Sequence, residues 1–215
     1  MEHLKRLFSN NKAIVEQITK DDPEFFSRRA GKQEPHFLFI GCSDSRVPIE
    51  TLTGVAPGEM FVHRNIANQV LSGDMNLLSV LQYAVEVLDV EHVIVCGHYQ
   101  CGGVKAAMGD VSYGLIDHWL ANIRDQVRRH ETDLEQITNE QARFNRVVEL
   151  NVLRQVYNLS RTPIVQNAWK RGHRPLLHGI VYDIHDGLLK SLVLAVDRQE
   201  KIQAVLEADK RGVGV

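Results

Sequence analysis

The sequence predicts an α/β fold: a mostly parallel central sheet flanked by helices, with an N-terminal helical arm. Three observations predict it. Short apolar runs at 37–40, 60–63 and 93–96 alternate with stretches of helical periodicity. Two of those runs end in a glycine followed by polar, metal-competent residues. An amphipathic stretch lies ahead of the first run, outside the alternation.

The elements follow in order. Residues 2–19 read as a helix, because Leu4, Leu7, Phe8, Ile14, Val15 and Ile18 recur at helical spacing. Asp21-Asp22-Pro23 breaks it, and Pro23 is placed to open a second helix. This arm, residues 1–30, has an apolar stripe that suits packing on the main body or on a partner subunit. Phe37-Leu38-Phe39-Ile40 reads as a buried strand, and Met60-Phe61-Val62-His63 as a second. Leu77, Leu78, Leu81, Ala84, Val85 and Leu88 mark a helix over 75–89. Val93-Ile94-Val95-Cys96 is the third strand. Long helices are expected over 113–130 and 139–160, and Pro163 suits the first turn of a helix over 163–170. Strands near 178–184 and 189–196 flank the hairpin signal Asp186-Gly187. No repeat or linker interrupts the chain, so a single domain over 1–215 is expected.

Composition narrows the function classes. The 215 residues are 44% hydrophobic and 24% charged, which excludes disorder and collagen-like structure. A net charge of −2 gives no electrostatic reason to expect nucleic acid or an anionic membrane as partner. No apolar run approaches the length of a membrane span, and no secretory h-region follows the N-terminus. Three cysteines are too few, and an odd number, for a disulfide framework. The expectation is a cytoplasmic protein whose reduced thiols serve metal binding or catalysis.

The chemistry gathers in two clusters, Gly41-Cys42-Ser43-Asp44-Ser45-Arg46 and Gly97-His98-Tyr99-Gln100-Cys101-Gly102-Gly103. Ligand sites of open α/β sheets lie beyond the carboxyl ends of the strands, so neighbouring strands would bring the clusters together. Cys42, His98 and Cys101 then offer two thiolates and an imidazole, and Asp44 a carboxylate, a tetrahedral set suited to zinc. Thiolates argue against magnesium and calcium. Each motif alone is weak, and Cys96 within an apolar strand reads as a core thiol. Jointly they supply one complete ligand set. With Asp44 on zinc the shell is closed; with Asp44 on the fork of Arg46, a position opens for water. The Asp44–Arg46 pair therefore reads as a gate, against the plainer reading of a closed structural zinc site.

Cys42-Ser43-Asp44-Ser45-Arg46-Val47-Pro48 and Gly97-His98-Tyr99-Gln100-Cys101-Gly102-Gly103, with Pro57-Gly58-Glu59-Met60-Phe61-Val62-His63-Arg64-Asn65-Ile66-Ala67-Asn68, resemble the β-class carbonic anhydrases, zinc enzymes that interconvert carbon dioxide and bicarbonate. Weaker matches at Tyr83-Ala84-Val85 and from Asn151-Val152 through Asn158-Leu159 extend the resemblance over roughly residues 30 to 190. It implies one Zn²⁺ per subunit on Cys42, His98 and Cys101, with Asp44 as the switchable fourth ligand. It implies a zinc-bound hydroxide as nucleophile and catalytic roles for Asp44 and Arg46. It also implies a substrate pocket of Gln33, Phe61, Tyr83 and Gly102, partly shared across subunits of a homodimer or homotetramer. The chain resembles a bicarbonate-regulated bacterial subgroup, which lines a second pocket with a tryptophan, an arginine and a tyrosine; Arg64 and Tyr182 match, and Phe39 stands in the tryptophan position. Phe39 lacks the indole donor, and one lost hydrogen bond to an anion is worth roughly 1.5–3 kcal/mol. The competing functions are a carbon disulfide or carbonyl sulfide hydrolase on the same site, a thiol enzyme with Cys42 as nucleophile and His98 as base, and a non-enzymatic zinc-organised binding module.

Overall fold

A computed structural model describes residues 1–44, 46–172 and 174–210, and in the last helix the side chains up to Gln203 and that of Leu206. Ser45, inside the first motif, lies outside the described residues. The chain forms two compact units, residues 1–34 and 35–215.

The first unit holds α1 (Glu2–Asp21) and α2 (Phe25–Ala30). No residue of α1 is buried, and its stripe leaves Leu4, Leu7, Phe8 and Ile14 more than half exposed. Pro23 does not open α2, which starts two residues later. The Asp22 carboxylate accepts from the Glu24 amide at 3.2 Å and pairs with Arg28, so a turn takes the backbone that would have been the first helical residues.

The second unit is built on five strands. Its elements run β1 (Phe37–Cys42), α3 (Ile49–Thr53), β2 (Met60–Asn65), α4 (Met75–Gln82), β3 (His92–His98), α5 (Gly102–Met108), α6 (Ile116–Arg129), α7 (Glu131–Glu135), α8 (Glu140–Ser160), α9 (Pro163–Arg171), β4 (Leu176–Tyr182), β5 (Leu189–Val196) and α10 (Gln199–Lys210). The sheet order is β2-β1-β3-β4-β5. The first four strands pair in parallel, and β5 returns antiparallel on β4. Strand order reverses between β1 and β3, the topological switch point where open sheets leave a crevice.

The helix expected over 75–89 is α4 followed by one π-turn, Tyr83–Val87. The helix expected over 113–130 begins at Ile116, and the strand expected over 178–184 runs from Leu176 to Tyr182. The short helices α3, α5 and α7 and the terminal α10 have too few turns or too little periodicity to stand out in the sequence.

Helix α8 lies against β3 and β4. Glycine makes that approach possible: a Cβ on Gly97 would stand 2.6 Å from Val152 Cγ2, and one on Gly179 3.0 Å from Val152 Cγ1. The buried faces of β1, β3 and α8 form one continuous core through Leu38, Ile40, Val93, Val95, Val148 and Val152. On the opposite face of the sheet Phe39, Ile49, Cys96 and Tyr182 form a smaller core. Cys96 is fully packed there, and burial pushes its thiol up to about 12.

Candidate metal centre

Parallel pairing sets Gly41 beside Cys96, so the ends of β1 and β3 open on the same edge of the sheet. Cys42 is the last residue of β1 and His98 the last of β3. Cys101 caps the start of α5. The turn between them is made by Gln100, a non-glycine residue at φ 62. Its carbonyl accepts from Arg46 Nη2 at 3.0 Å, one of the contacts that hold it in the left-handed region.

The sulfur atoms of Cys42 and Cys101 and a ring nitrogen of His98 all lie within 4.8 Å of one another, and all three residues are buried. His98 Nδ1 lies 2.9 Å from the Tyr99 carbonyl. A carbonyl only accepts, so Nδ1 carries the proton and Nε2 presents its lone pair. That Nε2 is buried and has no hydrogen-bond partner. A buried acceptor left bare costs free energy unless something completes it. The two thiols stand 3.9 Å apart. A hydrogen bond from Cys101 draws the Cys42 thiol down, while the adjoining Cys42 sulfur and burial push Cys101 up. One thiolate forms readily; the second needs a cation beside it. Two sulfurs and a bare imidazole nitrogen in a buried pocket fit a thiophilic divalent metal, and zinc in particular.

Asp44 stands at the rim. Its carboxylate accepts from Arg46 Nε at 3.0 Å and Nη2 at 2.6 Å, and from the Arg46 backbone amide at 3.0 Å. The Arg46 fork holds the carboxyl down to about 2. Asp44 Oδ2 is also 3.9 Å from His98 Nε2, so the carboxylate is paired with arginine yet adjacent to the ligand cluster.

The rings of Phe61 and Tyr83 lie 6.0 Å apart, on β2 and at the start of the π-turn, and Tyr83 is 46% exposed. Gly102 opens α5, and a Cβ there would meet no atom within 4 Å. Gln33 is an exposed residue of the N-terminal unit. Phe39 and Tyr182 are buried in the smaller core. Arg64 lies over the Phe39 ring at 5.4 Å, and its Nη1 donates to the Cys42 carbonyl at 2.8 Å. Tyr182 stacks on the His98 imidazole at 5.6 Å.

Sequence reasoning missed a supporting layer. Ala67, at φ 62, donates its amide to Cys42 Sγ at 3.4 Å. The Ala67 carbonyl in turn accepts from Asn151 Nδ2 at 3.0 Å, and Gln155 Nε2 donates to Asn151 Oδ1 at 2.8 Å. The Tyr99 hydroxyl donates to Glu149 at 2.7 Å, tying down the residue whose carbonyl orients His98. One signal was available: Asn151 and Gln155 are polar residues one turn apart among the apolar positions of α8.

The carbonic anhydrase family model matches residues 37–189. The chain is 47% identical over 187 residues to a carbonic anhydrase of Emericella nidulans, covering 87% of this chain and 82% of that one. Among solved structures it is similar to one of two tetrameric β-carbonic anhydrases of Sordaria macrospora, with TM-score 0.85, 39% identity, and coverage of 89% of this chain and 98% of that one. It is also similar to a Coccomyxa β-carbonic anhydrase in complex with acetazolamide, with TM-score 0.87, 35% identity, and coverage of 99% and 98%. The match spans both motifs and the whole parallel sheet, and the chain belongs to the β-class carbonic anhydrases, a family of lyases.

Proposed function

We infer that this protein catalyses the reversible hydration of carbon dioxide to bicarbonate and a proton at a zinc ion held by Cys42 Sγ, His98 Nε2 and Cys101 Sγ. The observation that carries this reading is the bare, buried Nε2 of His98 facing two thiols, with the Asp44–Arg46 pair at the rim. Zinc bound there supplies Lewis acidity that lowers the pKa of a water.

The chain's own residues do the rest. Asp44, ionised and held by Arg46, accepts a hydrogen bond from the reacting water and orients it. Water adds to the carbon of carbon dioxide: one oxygen–carbon bond forms, the π pair of one C=O bond moves onto its oxygen, one O–H bond of the water breaks, and that proton passes to solvent buffer. Phe61 and Tyr83 give an apolar wall suited to a small neutral substrate, and Gly102 leaves room beside the ligands. Gln33 is assigned to the substrate oxygens. Released from Arg46, Asp44 would instead complete the metal shell and close the site; its nearness to His98 Nε2 supports this gate. Phe39, Arg64 and Tyr182 remain the residues assigned to bicarbonate regulation. Because the Arg64 guanidinium bonds the Cys42 carbonyl, an anion drawn to Arg64 would pull on the backbone of a zinc ligand.

The tetrameric structural relative and the uncovered stripe of α1 support a homo-oligomer, dimer or tetramer. No helix among the described residues is long and apolar enough to cross a membrane. Three unpaired cysteines, two of them proposed ligands, suit a reducing compartment such as the cytoplasm.

Stopped-flow carbon dioxide hydration across pH, with and without added bicarbonate, tests the assignment. Activity should rise with pH and scale with bound zinc. Zinc-loaded protein that hydrates no carbon dioxide but hydrolyses carbon disulfide or carbonyl sulfide would overturn it.

A further inference from the structure

A groove is lined by residues of α6 and α8, by residues 70–74 and by Thr162 and Pro163 at the start of α9. Its volume is about 650 Å³, within the usual range of small-molecule sites. Arg129 from α6, Arg154 from α8 and Arg161 just beyond α8 all line it. None of the three guanidiniums makes an ion pair or hydrogen bond among the described residues. Arg154 is partly buried with its guanidinium over the Tyr157 ring at 5.1 Å. Burial and the charge of Arg129 both weigh against its protonated form. Guanidiniums gathered without a counter-charge repel one another, and an anion between them removes that cost.

Two carboxylates also face the groove, and both are engaged. Asp74 accepts from the amides of Asn76 and Leu77 as the cap of α4. Asp125 pairs with Arg128 at 3.5 Å. A neutral donor completes the lining: Gln126 is only 8% exposed, and its side-chain amide has no hydrogen-bond partner among the described residues.

We propose that this groove binds a small molecule bearing a polyvalent oxyanion of the phosphate-ester class, held by Arg129, Arg154 and Arg161 with the Gln126 amide as a further donor. A phosphate ester carries nearly two charges and three terminal oxygens, enough for three planar forks; a monocarboxylate or bicarbonate has one charge and leaves guanidiniums unpaired. The groove is larger than a phosphate group, and Leu78 and the partly buried face of Trp119 receive the body of the ligand.

Trp119 also supplies the readout. The chain has two tryptophans, and the other, Trp169, donates its indole N–H to the Pro175 carbonyl outside this groove. In a Trp169→Phe background, the full-length protein is titrated with inorganic pyrophosphate at ionic strength held constant with sodium chloride. A saturable change in Trp119 fluorescence is expected. Affinity should fall about tenfold or more in Arg129→Gln and in Arg154→Gln, and less in Arg154→Lys, which keeps the charge without the fork. Arg129 is exposed, so its variant should keep the parental melting temperature and hydration rate. Three results would each overturn the proposal: no saturable change up to about 10 mM, far above the affinity such a site should show; equal affinity in the folded Arg129→Gln protein; or the same response to chloride alone.

Discussion

The backbone amide of Ala67 points at Sγ of Cys42 from 3.4 Å, across 25 positions of sequence. A hydrogen bond to sulfur favours thiolate over thiol, so Ala67 stabilises the ionised form of Cys42 that metal binding would require. The left-handed backbone at Ala67 and Asn68 is what aims that amide, and Asn151 fixes it from behind.

Asn151→Leu therefore leaves the Ala67 carbonyl and the Gln155 amide without partners in the core. Stability should fall by about 1–3 kcal/mol. Zinc retention during dialysis should fall with it. Thermal denaturation and elemental analysis check the two effects separately.

Arg46→Ala frees the Asp44 carboxylate from its fork. Hydration should drop by roughly tenfold or more while zinc content is unchanged, because a charge-assisted pair of this kind is worth about 1.5–3 kcal/mol. Arg46→Lys should lie between, since it retains the charge but not the two-point geometry. Unchanged stopped-flow rates in Arg46→Ala would remove the gate from the mechanism.

Gly97→Ala would place a methyl 2.6 Å from Val152 Cγ2. Overpacking at such a contact costs about 1–3 kcal/mol. Adding Val152→Ala should recover much of the loss, an interaction that a double-mutant cycle of urea denaturation would measure.

His178 gives the fold an acid limit. Its Nδ1 accepts from the Ala195 amide at 3.2 Å, so Nε2 holds the proton and donates to His92 Nδ1 at 3.1 Å. Burial, then the neighbouring His92, lowers its pKa to about 4. The unfolded chain binds a proton there near pH 6.5, the ordinary histidine value, and the folded chain only near 4. Stability should therefore be full above about pH 6.5 and be lost as pH falls toward 4. His178→Asn should flatten the melting temperature across that window.

Chelation should abolish activity, and Zn²⁺ should restore it where Mg²⁺ does not, since thiolates discriminate against hard cations. Cys42→Ser should hold less zinc than the parent under the same dialysis, as read by elemental analysis.

The sequence by itself determined the ingredients. Apolar runs ending in Gly41-Cys42 and Gly97-His98 marked two strands and their carboxyl ends, because side-chain burial and strand length are local properties. Thiolate and imidazole chemistry at those strand ends likewise named Cys42, His98 and Cys101 as candidate ligands, and Asp44 with Arg46 as a pair. The tertiary structure decided what no local signal carries. Pairing of β1 with β3 brings the two clusters together, and the close seat of α8 on Gly97 and Gly179 brings Asn151 beneath Ala67. Ala67 and Gln100 adopt left-handed backbone that their side chains disfavour. Contacts from distant segments hold them there: Asn151 on the Ala67 carbonyl and Arg46 on the Gln100 carbonyl. Local preference at such positions amounts to about 1–2 kcal/mol, less than several long-range contacts together supply. The candidate ligands could therefore be read from the chain, while the backbone that orients them exists only in the fold.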